Sequence, residues 1–192
     1  MGVFMEKNRF ILFDRDGVIN IEKSYLYKIE DFEYESGVIE GLEKLKKLGY
    51  RFLIITNQAG IARGYYTEED YLKLEKFITE DLKNKGIKIE KTYYCPHHPE
   101  GKENYGIECD CRKPNTGNFL KAIEEFQIDV KKSFMVGDRI TDLIPAEKLG
   151  FKTVLVKTGY GMKNISKLAD NGLKSLVVGS ISEFGDFLKE NG

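Results

Sequence analysis

Short apolar runs recur along the chain, and stretches with apolar residues three and four positions apart separate them. Residues 10–13, 52–55, 91–94, 133–136, 153–156 and 176–178 are too brief for helices and read as strands. Between the first two, Val38, Leu42, Leu45 and Leu48 mark a helix closed by Gly49. Tyr71, Leu74, Ile78 and Leu82 mark another, running to about Gly86 and opened by Thr67 with Asp70 as its capping-box partner. Further helices are predicted over 118–126, from Thr141 or Asp142 to Gly150, and from Ser182 onward. Such alternation predicts an α/β protein, a Rossmann-like three-layer sandwich with a mostly parallel sheet and helices on both faces. Residues 1–192 read as one domain with two irregular segments. One is a flap over about 17–36, lacking helical periodicity and carrying Tyr25, Tyr27, Phe32 and Tyr34, which is too short for a cap domain. The other is a polar loop over about 95–111 that holds every cysteine and histidine.

The strands end in chemistry. The first stops at Asp14 and Asp16, with Gly17 turning the chain; the second ends in Thr56-Asn57-Gln58; the fourth ends in Gly137-Asp138. Open α/β sheets bind ligands at this carboxyl edge. A few hard oxygen ligands suit Mg²⁺, which keeps several waters and takes one or two carboxylates plus a phosphate. Attack of an ionised Asp14 on a phosphate would meet repulsion of about 4 kcal/mol per unit charge at 4 Å and an effective dielectric of 20. Mg²⁺ and Lys113 would offset that repulsion, and Thr56 would donate to a phosphoryl oxygen. Asp14 would then carry an aspartyl-phosphate, with Asp16 protonating the leaving oxygen and later deprotonating the attacking water. An EF-hand reading fails, because Gly17 falls at the wrong loop position.

Charge narrows the partners. Thirty basic and 31 acidic residues are mixed along the chain for a net charge of −1, which leaves no footprint for nucleic acid or an anionic membrane. The amino end has no long apolar run, so a cytoplasmic protein is expected. No dimerisation stripe stands out, so a monomer is expected.

The three cysteines, with Cys109-x-Cys111 among them, are too locally spaced for a disulfide framework. Together with Cys95-x-His97 they supply three thiols and an imidazole, a tetrahedral zinc set with four protein ligands and hence a structural site. His98 could take the place of His97. Arg112 and Lys113 follow Cys111 directly, so this zinc would fix the loop that brings both cations to the phosphate.

An apolar run to Asp14-x-Asp16-Gly, another to Thr56-Asn57, then Lys113, then a run to Gly-Asp138 with Asp142 beyond: this order resembles the haloacid dehalogenase (HAD) superfamily of phosphotransferases over nearly the whole chain. The resemblance implies Asp14 as nucleophile and Asp16 as general acid/base. It implies Mg²⁺ held by Asp14, the Asp16 backbone carbonyl and Asp138, with Thr56 and Lys113 gripping the phosphoryl group. Asp142 is a helix cap, a supporting acid or a ligand. Val18 stands where many members have Thr.

The loop ending CDCRKP, with ITNQ earlier, is similar to the heptose bisphosphate phosphatases and their histidinol-phosphate phosphatase relatives, both capless. The Cys-x-His match favours His97 as ligand, and the long stretch between His97 and Cys109 favours the heptose group. That resemblance implies a phosphosugar substrate in bacterial surface-polysaccharide synthesis, touched by Glu22 and Tyr25 of the flap, by Thr56, Asn57, Gln58 and Ala59, and by Arg112 and Arg139. Arg139 departs from an expected lysine, keeping charge but changing geometry. As lid packing, the flap aromatics need no function. Histidinol phosphate is the alternative substrate, with Glu22 available to a substrate amine; a zinc-stabilised binding module without catalysis is the alternative of another class.

Overall fold

A computed structural model describes residues 8–191, so the amino-terminal stretch on which the absence of an export signal is read lies largely outside the described residues. One sheet of six strands runs through the molecule in the order β3-β2-β1-β4-β5-β6, formed by β1 (Phe10–Phe13), β2 (Arg51–Asn57), β3 (Ile89–Cys95), β4 (Phe134–Gly137), β5 (Lys152–Val156) and β6 (Leu176–Val178). Every pairing between them is parallel, so the mostly parallel sheet of the sequence reading is wholly parallel.

β1 sits at the centre, and all four of its side chains are fully buried, which explains a continuous apolar run instead of alternation. The period of two is still present beneath it. Ile11 and Phe13 join the larger core cluster, while Phe10 and Leu12 join the cluster on the opposite face. Helices α1 (Val38–Lys47), α3 (Glu68–Asn84) and α7 (Ile181–Asn191) supply Leu42, Leu74 and Phe184 to the first cluster. On the other face α4 (Gly117–Phe126) and α5 (Ile140–Lys148) supply Phe119 and Ala146.

Two helices lie where none was predicted. α2 (Ala59–Arg63) is a five-residue turn off the end of β2, and α6 (Gly161–Asp170) fills the stretch before β6. α5 also starts earlier than Thr141: Arg139 is its N-cap, and Asp142 in the first turn accepts the Arg139 backbone N–H at 3.0 Å. Asp142 therefore caps this helix and Thr141 does not. The flap folds back on itself through Ile21 N–H to Glu33 and Glu35 N–H to Ile19, and it buries Val18, Ile19 and Leu26 in the core. Its tip, Ser24 and Tyr25, holds positive φ angles of 51° and 67°.

At the start of α3, Asp70 N–H donates to Thr67 Oγ1 at 3.1 Å and Thr67 N–H donates to Asp70 Oδ2 at 3.0 Å. Thr67→Ala breaks this reciprocal cap at an exposed position. The expected cost is about 1 kcal/mol, read as a fall of roughly 2–4 °C in melting temperature; an unchanged melting temperature would show that α3 is held by packing alone.

Candidate active site and metal centre

Parallel register brings the carboxyl ends of β1, β2 and β4 side by side. Phe13 pairs with Ile54 on one side and Val136 on the other, and Asp14 N–H continues the ladder to the Val136 carbonyl at 2.9 Å. Asp14, Thr56 and Asp138 thus leave the sheet together. Lys113, which closes the loop after β3, enters from the side: its Nζ lies 2.7 Å from Asp14 Oδ1, 2.8 Å from Asp142 Oδ1 and 2.7 Å from the Ile55 carbonyl. Asn57 fixes that loop by two bonds to the Lys113 backbone, each 3.0 Å. Lys113 is 3% exposed, and a buried ammonium needs the two carboxylates it touches.

Asp16 faces a different set of partners. Both its oxygens accept from Arg15 Nη2, at 2.8 and 2.9 Å, and Asn20 Nδ2 and Gln58 Nε2 each donate to it at 3.0 Å. Burial alone would raise its pKa, but the Arg15 charge and these donors hold it below the usual carboxylate range. Gln58 also donates to Thr56 Oγ1 at 2.9 Å and accepts from Tyr66 at 2.7 Å, so its amide orients neighbours instead of standing free.

Above these groups lies a cleft of about 420 Å³ lined by the acids, Thr56, Lys113 and flap residues, with Arg112 and Arg139 among its walls. Arg139 lies flat over the Tyr160 ring, 3.8 Å from its centroid, and pairs with Glu22 at 3.3 Å. Glu22 also accepts the Ser24 N–H at 2.7 Å. Tyr25 meets Tyr65 edge-on and lines this cleft, whereas Phe32 and Tyr34 pack on the core.

In the polar loop, the Sγ atoms of Cys95, Cys109 and Cys111 lie 3.2–3.5 Å apart, and His97 Nδ1 is 3.4 Å from Cys111 and 3.8 Å from Cys95. His98 turns away, against Arg63 at 3.3 Å.

Comparison with known proteins places these features. The HAD-hydrolase-like family model matches residues 110–183. A D-glycero-beta-D-manno-heptose-1,7-bisphosphate 7-phosphatase of Pasteurella multocida is 42% identical over 180 residues, covering 93% of this chain and 96% of that protein. The chain belongs to the heptose-1,7-bisphosphate 7-phosphatase family of HAD-like hydrolases. A D-glycero-alpha-D-manno-heptose-1,7-bisphosphate 7-phosphatase of Photorhabdus laumondii is 48% identical over 156 residues, covering 80% of this chain and 85% of that one. Among solved structures, the D,D-heptose 1,7-bisphosphate phosphatase of B. bronchiseptica, complexed with magnesium and phosphate, superposes with a TM-score of 0.83 at 26% identity, over 96% of this chain and 99% of that one.

The chain itself carries the marks of a cation site. Ligand oxygens of Asp14, Asp138 and Asp142 all lie within 4.8 Å of one another. Asp142 spends its oxygens on Lys113 and the Arg139 N–H. Asp138 is fully buried; its Oδ2 accepts the Tyr160 N–H at 2.7 Å, while Oδ1 has no hydrogen-bond partner among the described residues. Burial, only partly offset by Lys113 and reinforced by Asp142, pushes Asp14 up to about 7, and burial with the Asp142 and Asp14 charges pushes Asp138 up to about 8. Three carboxylates against one lysine leave negative charge in a dry site, and a divalent cation beside Asp14 and Asp138 removes that imbalance. The thiol cluster fits a tetrahedral metal equally well, since its atoms stand at edge distances of such a shell and the cysteines form no disulfide.

Sequence reasoning passed over Arg15, Asn20, Tyr66 and Tyr160. Tyr160 lies at the start of α6, the unpredicted helix, and that helix braces Asp138 through the Tyr160 N–H and through Asn164, whose amide donates to the Asp138 carbonyl at 3.3 Å.

Proposed function

We propose that this chain is a Mg²⁺-dependent phosphatase that removes the 7-phosphate of D-glycero-D-manno-heptose 1,7-bisphosphate through an aspartyl-phosphate on Asp14. The observation that carries the reading is the Asp14 carboxylate, held at 2.7 Å by buried Lys113 on the floor of a cleft walled by Arg112 and Arg139. When bound by Asp14, Asp138 and the Asp16 backbone carbonyl, Mg²⁺ would neutralise charge on the transferring phosphoryl oxygens. Lys113 fixes the orientation of Asp14 and balances the charge that attack concentrates there. An Asp14 oxygen bonds to phosphorus as the bond to the sugar oxygen breaks, and Thr56 donates to a phosphoryl oxygen. Asp16 passes a proton to the departing sugar oxygen. In the free protein Asp16 is held ionised by Arg15, Asn20 and Gln58; as the phosphate dianion arrives it takes up a proton from solvent, and this is the proton it hands to the sugar oxygen. Asp16 then takes a proton from the water that attacks the phosphoryl group, which releases inorganic phosphate and restores Asp14.

The second phosphate of the substrate meets Arg112 or Arg139, and Tyr25 lies against the sugar. Glu22 is engaged by Arg139 and the Ser24 N–H, which leaves it poorly placed for the amine of histidinol phosphate. A zinc ion in the Cys95, His97, Cys109 and Cys111 cluster would be structural. The enzyme would act as a cytoplasmic monomer on this phosphosugar; no helix among the described residues is long and apolar enough to cross a membrane.

The test is phosphate release with Mg²⁺ from heptose 1,7-bisphosphate and from histidinol phosphate. The expected result is at least a tenfold preference in kcat/KM for the bisphosphate, with the sugar 1-phosphate as the remaining product. Preference for histidinol phosphate would move the chain to the sister activity, and release from neither would end the phosphatase reading.

A further inference from the structure

Arg15 stands between the two acids of the strand end and is completely buried. It spends its hydrogen bonding through one nitrogen: Nη2 donates to both oxygens of Asp16, at 2.8 and 2.9 Å, and to the Leu26 carbonyl of the flap at 3.2 Å. Nε and Nη1 make no hydrogen bond among the described residues. The guanidinium lies over the Tyr71 ring, 5.5 Å from its centroid, with the buried Glu75 close enough to bias its charge. Packing does not call for such a residue. A buried cation with unbonded N–H groups is costly, and a methionine would fill the same slot without that cost. What a methionine lacks is the grip on Asp16.

We propose that Arg15 is a positioning residue for proton transfer to the leaving group, holding the Asp16 carboxyl and the flap backbone at Leu26 as one unit. This inference rests on the phosphatase reading given above. Several features support it. Among the described residues no backbone N–H donates to the Asp16 carboxylate, which depends on side chains for its orientation, Arg15 supplying two of the four bonds. Leu26 directly follows Ser24 and Tyr25, which line the cleft, so the same nitrogen that aims the acid also seats the segment that would lie against substrate. A donor shared in this way transmits the position of one partner to the other. Loss of orientation at a general acid lowers the rate of the step that needs its proton and leaves other steps alone.

The leaving group separates this role from a merely structural one. A sugar alkoxide departs poorly without a proton, whereas p-nitrophenolate departs unaided. The experiment measures kcat/KM, which reports events through phosphoryl transfer to Asp14, for heptose 1,7-bisphosphate and p-nitrophenyl phosphate with the parent protein, Arg15→Met and Asp16→Asn. The expected result for Arg15→Met is a fall of on the order of 10–100-fold on the bisphosphate, at most threefold on p-nitrophenyl phosphate, the same bias seen with Asp16→Asn, and an unchanged KM for the bisphosphate. An equal fall on both substrates with the parent active on both would leave the phosphatase reading standing and overturn the positioning role. A parent inactive on both would instead overturn the phosphatase reading. Arg15→Lys, which keeps a cation on a thinner side chain, carries the same comparison if Arg15→Met does not fold. Failure of both variants to fold would mark Arg15 as structural and overturn the proposal.

Discussion

Asp14→Asn is expected to lower phosphate release by on the order of 10⁴-fold or more while leaving a folded protein. An amide oxygen has neither the charge nor the nucleophilicity to form the bond to phosphorus, and no other carboxylate is free to replace it. Asp16 is turned toward Arg15, Asn20 and Gln58; Asp142 is taken up by Lys113 and the Arg139 N–H; Asp138 is buried behind the first pair. Folding should survive, because Asn keeps the shape of Asp and the backbone bond to Val136, and Lys113 retains Asp142 and the Ile55 carbonyl. Stability is a second signature of the site. Burial and the Asp142 charge push Asp14 up to about 7 in the metal-free protein in spite of its pair with Lys113, so removing that charge relieves desolvation and repulsion with Asp142 and Asp138 that outweigh the lost pair. Phosphate release and a thermal melt check both halves: a melting temperature at or above that of the metal-free parent, with activity lost, is the expected outcome. A variant retaining a tenth of parental activity would remove Asp14 as nucleophile.

The parts of the site that the sequence made legible are those written in local spacing. β1 ends where its apolar run ends, and Asp14, Asp16 and Asp138 stand at strand termini because short buried runs stop abruptly at polar residues. The thiol cluster was readable for the same reason, since two short Cys-containing motifs flank one loop. What stayed hidden depends on contacts between distant segments. Asp142 bridges to Lys113 only because the first turn of α5 and the loop after β3 meet in space, which no spacing rule expresses. α6 carries only Ile165 and Leu168 as an apolar pair in one short helix, and the rest of its buried face is Gly161 and Asn164, whose amide serves Asp138. α2 is too short for any period. Arg15 was read as a spacer, although a charged residue interrupting an otherwise buried strand end was the available signal. Asn57 and Gln58 were placed correctly at the edge of β2, but the structure spends their amides on holding Lys113, Thr56 and Asp16.

Stripping metal from the Cys95, His97, Cys109 and Cys111 cluster is expected to lower both stability and activity, even with Mg²⁺ in excess. Structural zinc contributes on the order of 10 kcal/mol in small zinc domains. Here a bound zinc would hold one loop while the sheet has its own core, so a smaller share is at stake: several kcal/mol, or a fall of roughly 10 °C or more at about 2–4 °C per kcal/mol. The link to activity runs through the chain. Cys111 is followed by Arg112, whose Nη1 donates to the His97 carbonyl at 3.3 Å, and then by Lys113, whose Nζ holds Asp14. Asn57 grips the Lys113 backbone from the other side, so Lys113 loses one of two supports and not both. The expected cost in kcat/KM is therefore on the order of 10–100-fold, the range for removing a group that orients a functional residue, instead of the near-complete loss predicted for Asp14→Asn. Zinc should restore activity and magnesium alone should not. Elemental analysis of the purified chain, a thermal melt and phosphate release after chelation test this together; one zinc per chain is expected, and a metal-free chain with full activity and an unchanged melting temperature would show that the thiols hold no structural ion.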